Sequence, residues 1–85
     1  MTRLWPKGAS IVVAENASAA PDRVTWQGQT HQVAEIAKHW RVDADWWRGR
    51  PVARDYYKLT TTTGLLLIVY RDLETSAWHL QRLYD

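Results

Sequence analysis

Eighty-five residues with 11 Lys and Arg against 9 Asp and Glu leave room for one domain and give a formal net charge of only +2. A chain this short buries about 60–70% of the surface it exposes when unfolded, so a few large side chains must do much of the burying; six Trp and four Tyr, with no Phe, are the expected source. The absence of Cys excludes disulfides, thiolate metal sites and thiol nucleophiles. The longest apolar run, Leu65 to Tyr70, is far below the ~20 residues that cross a bilayer, and a cytoplasmic domain with no membrane contact is the expectation.

Residues 1–9, with Pro6 and Gly8, read as an irregular N-terminal arm, and 10–85 as a single small β domain. Ser10–Ala14 carries Ile11, Val12 and Val13, enough for a short strand, and the Ala, Asn and Ser run of Ala14–Pro21 reads as a loop. Asn16-Ala17-Ser18 matches a glycosylation acceptor, which a cytoplasmic chain would carry by chance. Arg23-Val24-Thr25-Trp26 alternates polar and apolar as a half-buried strand does, Gln27-Gly28-Gln29 supplies a turn, and a return strand follows near Thr30.

Past that point two readings stay open. Val33, Ile36, Ala37 and Trp40 recur at spacings of three and four, which suits a helix face, while a strand bent by a bulge accounts for the same pattern. A strand running into a bend or short helical turn near 34–47 is the favoured one. Asp55–Thr62, Leu65–Arg71 and Ala77–Tyr84, separated by Thr63-Gly64 and the polar stretch Asp72–Ser76, form a three-strand meander. The fold class is therefore mostly β: about five short antiparallel strands curled into a small barrel or half-barrel.

The spaced pattern Trp26-x-Gly28, Val33 with Glu35-Ile36, Trp46-Trp47-Arg48, Arg54-Asp55-Tyr56-Tyr57, Leu67 to Arg71, Trp78-His79-Leu80 and Tyr84-Asp85 resembles the small C-terminal domain of ImuB-type proteins, polymerase-like relatives of the Y-family translesion enzymes. The likeness spans Trp26 to Asp85 and implies a setting in DNA damage tolerance. It implies no reaction and assigns no site residue.

Charge is gathered where the aromatic residues are. From Lys38 to Lys58, six positive side chains face three negative ones, a net +3 that leaves −1 for the rest of the chain. Lys38, Trp40, Arg41, Trp46, Trp47, Arg48, Arg50, Arg54, Tyr56 and Lys58 are the candidate binding residues, because cations beside flat rings suit either a protein hot spot or a single-stranded nucleic acid. The competing account makes the tryptophans core and the arginines their cover. Adjacent Trp46 and Trp47 cannot both point inward from a strand.

Catalytic and metal patterns are weak by comparison. Asp43-x-Asp45 reads as turn chemistry, Asp55 as a structural partner for an arginine, and His31, His39 and His79 lack the spacing of a zinc site. Thr60–Gly64 lacks the lysine and glycines of a phosphate loop. No cofactor or metal is expected, and the function expected is a non-enzymatic adaptor that binds a protein in a translesion or repair assembly. Binding of single-stranded DNA or RNA is the alternative, and self-association through a sheet edge or aromatic patch is a third outcome.

Overall fold

The structure is a computed structural model that describes residues 2–44 and 52–84. Its strands are β1 (Thr2–Glu15), β2 (Pro21–Trp26), β3 (Gln29–Ala44), β4 (Val52–Thr61), β5 (Leu66–Asp72) and β6 (Trp78–Tyr84). Each is antiparallel to the next, and β1 pairs with β6, so the six close into a barrel. Among the described residues there is no helix.

The tight turns follow from residues that tolerate or cap unusual backbone. Gln27 and Gly28 both have positive φ, 51° and 77°, between the paired residues Trp26 and Gln29, which makes the two-residue turn whose twist matches the flanking strands. Asn16 Oδ1 accepts from the backbone N–H groups of Ser18 and Ala20 in the β1–β2 loop, and Asp72 Oδ1 accepts from those of Glu74 and Thr75 in the β5–β6 loop. Pro21 opens β2, a position where its missing N–H costs little.

Bulges shape three of the strands, and in β1 and β3 they overturn the sequence reading. The N-terminal segment is strand rather than irregular arm: β1 starts at Thr2, pairs with β6 through Leu4, bulges with residues 5–8 against Gln81 alone, and resumes at Ala9. In β3, Ala34 and Ala37 are extra residues between Val33, Glu35, Ile36 and Lys38 and their partners on β4. Each insertion resets the face, so inward positions fall at Val33, Ile36 and His39, three apart. The apolar residues that suggested a helix therefore do not share a face: Val33 and Ile36 point inward, Ala37 is a bulge residue and Trp40 points outward, and β3 is a bulged strand with no helical turn from 34 to 44; residues 45–47 lie outside the described residues. In β6 an extra residue at Gln81 turns Leu83 inward, 4% exposed, and Tyr84 outward, which inverts the simple alternation.

Among the described residues the core is mostly aliphatic. Ile11, Val24, Leu59, Leu67, Val69, Leu80 and Leu83 fill it with Tyr57 and Trp78, while Trp26 packs against its margin. An eight-or-fewer-strand barrel has an interior only wide enough for side chains, and branched aliphatics from successive strands fill that space in good rotamers. Leu80 is fully buried, so Leu80→Ala should cost about 2–5 kcal/mol in urea denaturation. Val12→Ala, at a position 68% exposed, should change stability by less than about 0.5 kcal/mol.

Candidate functional site

Register fixes what the two faces of the sheet carry. Trp40, Tyr56, Tyr70, His79 and Ser10 are successive partners across β3, β4, β5, β6 and β1 and form one rung. Tyr57 and Leu59 belong to the core, so their strand neighbours Tyr56 and Lys58 must face outward. The outer rung is therefore a row of rings. Trp40 stacks on Tyr56 at 5.3 Å and 9°, Tyr56 meets Tyr70 at 5.1 Å, and Tyr70 stacks on His79 at 4.9 Å.

These outward rings are not all open to solvent. Tyr56 is 8% exposed and Tyr70 only 3%. The Arg54 guanidinium lies 4.6 Å over the Tyr70 ring and donates to the Tyr56 hydroxyl. From the other side Gly8 of the β1 bulge passes close over the Tyr70–His79 end of the row: a Cβ placed on it, whose φ is +76°, would come within 2.8 Å of the His79 Cβ and 2.5 Å of the Tyr70 hydroxyl. Only glycine allows the chain to pass so near. Burial pushes the Tyr70 hydroxyl above its ordinary pKa, as it does Tyr57.

The next outer rung is basic. Lys38 stands directly opposite Lys58, Lys58 opposite Ile68, and Ile68 opposite Arg82. Lys38 also lies 5.4 Å from the Trp40 ring centroid, and Arg82 donates to the Tyr84 hydroxyl. Among the described residues no carboxylate forms an ion pair with Lys38, Lys58, Arg54 or Arg82; the ion pairs there centre on Asp55 and Arg71, register partners on the inward-facing side. Like charges directly opposite each other across two strands are destabilising. The outer face retains that repulsion: Glu35 and Asp72 also face outward, opposite Thr60 and Arg54, but form no ion pair with Lys38, Lys58 or Arg82.

Of the ten residues singled out from sequence, Lys38, Trp40, Arg54, Tyr56 and Lys58 are brought together on this face. Arg41 is not: it faces the opposite side, where Nε donates to Asp55 Oδ1 at 2.8 Å and Nη2 to Oδ2 at 3.2 Å. Trp46, Trp47, Arg48 and Arg50 lie outside the described residues. Sequence reasoning missed Tyr70, His79 and Arg82, whose membership of the same rungs depends on the register of β5 and β6 and on the Gln81 bulge.

The inward cluster at the end of the barrel is structural in its connections. Asp55 is buried, as an arginine's partner is expected to be, with His39 Nε2 also 3.6 Å away and the His39 ring stacked on Tyr57 at 4.3 Å. Arg71 lies 3.5 Å from Glu15. No group of three His, Asp or Glu side chains suited to a metal occurs among the described residues. The hydrogen bond from Arg41 holds the Asp55 carboxyl below its ordinary pKa, against the opposing effect of burial.

A depressed carboxylate stabilises the fold above its unfolded pKa of about 4, and that contribution disappears as pH falls through the lower folded value. Arg41→Met should therefore lower the melting temperature at neutral pH. The gap between variant and wild type should narrow steadily in melts taken below about pH 4; a gap independent of pH would show that the ion pair is not its source.

Comparison with known proteins gives one match. The profile of a family described as a domain of unknown function, DUF6504, covers residues 4–85. No curated protein and no solved structure matches the chain.

Proposed function

The chain belongs to the DUF6504 family, and we propose that it is a non-enzymatic docking module that binds an acidic segment of a protein partner on the outer face of β3–β6. The observation that carries this reading is the opposition of Lys38 and Lys58, with Arg82 further along the same rung, on a face where no described carboxylate pairs with them. Repulsion between opposed lysines weakens the free fold and is relieved by a bound anion. The rings beside them favour protein over nucleic acid, because Tyr56 and Tyr70 are already stacked and covered and offer no open platform for bases. The setting we propose, from the resemblance of Trp26–Asp85 to the ImuB-type C-terminal domain, is a translesion or repair assembly in the cytoplasm.

One feature favours single-stranded nucleic acid as a second reading. Trp40 is only half-buried, has Lys38 beside it and could stack one base while the lysines meet phosphates. Contacts from Lys38, Lys58 and Arg82 to three phosphates would give a log–log salt slope of about −2.

Lys58→Glu separates stability from binding. It replaces a repulsive cross-strand pair with an attractive one, so the variant should be more stable by about 0.2–1 kcal/mol in urea denaturation. The same variant should lose an acidic protein partner that the immobilised wild type captures. Equal recovery by both would overturn the docking reading. Titration with single-stranded DNA across a salt series, followed by Trp fluorescence, decides the second reading: the slope should be near −2 and should fall in Lys58→Glu if DNA is the ligand.

A further inference from the structure

The far edge of β3 points to a second partner. β3 is bonded to β2 only from Gln29 to Gln32, after which its pairing continues with β4 alone, from Val33 to Ala44. Among the described residues no strand or loop hydrogen-bonds to the other edge of that stretch. The two bulges that twist an edge away from intruders lie at its beginning, whereas Lys38 to Ala44 runs against Lys58 to Val52 without interruption. A regular edge of this kind presents unpaired backbone groups to any strand that can match it.

The strand that matches it is its own copy. An antiparallel pair about a two-fold axis through Val42 sets Val42 against Val42, Arg41 against Asp43 twice, and Trp40 against Ala44 twice. The faces agree as well as the charges. Trp40 and Val42 share the outer side with Tyr56 and Arg54, while Arg41 and Asp43 share the inward-facing side with Asp55 and Ala53.

Arg41 can make the added contact without giving up the one it has. Nε and Nη2 are used on Asp55, the side chain is 57% exposed, and Nη1 remains to donate to Asp43 of the second copy. Moving the axis by one residue to Arg41 keeps the faces matched but opposes Arg41 to Arg41. Like charges there discriminate between the two registers.

We infer that the chain self-associates through the Trp40–Ala44 edge of β3, antiparallel about Val42, joining two barrels into one continuous sheet. A seam this short lies below the area of a permanent interface, so monomer and dimer exchange with concentration. Joining the seam also sets the Lys38–Lys58 rungs of the two copies on one extended outer surface. The inference stands apart from the docking reading, since an acidic partner could be bound by either form.

Sedimentation equilibrium of the full chain, from low micromolar to near-millimolar concentration, tests it. Wild type should move from monomer to dimer, and hydrogen exchange of the amides from Trp40 to Ala44 should slow as concentration rises. Asp43→Lys, which turns both cross-copy ion pairs into repulsions, and Val42→Lys, which places two cations on the axis, should each raise the dimer dissociation constant by at least about tenfold. Both positions are at least partly exposed, so circular dichroism should show unchanged folds. A wild type that stays monomeric throughout, or a dimer indifferent to both substitutions, would overturn the inference. Loss of dimer in Asp43→Lys with retained capture of an acidic partner would uphold it and separate it from the docking surface.

Discussion

Two strands change partner partway along their length, and the barrel exists because they do. β1 leaves β6 after Ile11 and takes up β2 at Val12, and β3 leaves β2 after Gln32 and takes up β4 at Val33. Six strands of ordinary twist would otherwise make an open sheet with two exposed edges. The long corner strands turn the sheet, and the bulges at residues 5–8, Ala34 and Ala37 supply the local bend that such corners need. The same device makes β3 outlast β2, so that among the described residues its far half pairs with β4 alone.

Closure sorts chemistry by face. Inside, branched aliphatics pack with Tyr57 and Trp78; at the barrel's end Asp55 and Arg71 draw in Arg41, His39 and Glu15. Outside, other rings stack along one rung and the cations line the next. Asp55 and Glu15 are paired at the barrel's end, and on the outer face the lysines of the Lys38–Lys58 rung have no carboxylate partner among the described residues.

How much of this could be read from the residues depends on whether a local rule was left undisturbed. β4 and β5 alternate without a bulge, and their meander with β6 was legible in Asp55–Tyr84, as was the Gln27-Gly28 turn. The barrel class followed from strand spacing. β1, β3 and β6 were harder, because each inserted residue resets the face and destroys the period from which a face is inferred. Part of the outer basic face was visible as a cluster in sequence, but the departure of Arg41 to the inward side was not, since it depends on phase. Nor does any local signal announce that two outward tyrosines are buried: Tyr56 lies among Trp40, Tyr70 and Arg54, and Tyr70 is covered by Gly8, more than sixty positions away in the chain.

The pairing of β1 with β6 has a consequence for how the chain acquires its structure. The first strand cannot complete its ladder until Tyr84 is available to meet Thr2. Hairpins β2–β3 and β4–β5 can form as soon as they are synthesised, but the β1–β6 joint must wait until every intervening strand has been made. Contacts of such long sequence separation place this topology among the slower two-state folders, in the millisecond-to-second range. During that interval the apolar run Leu65–Tyr70 lacks its β6 cover, which makes synthesis, rather than the finished barrel, the stage at which this protein is most exposed to aggregation.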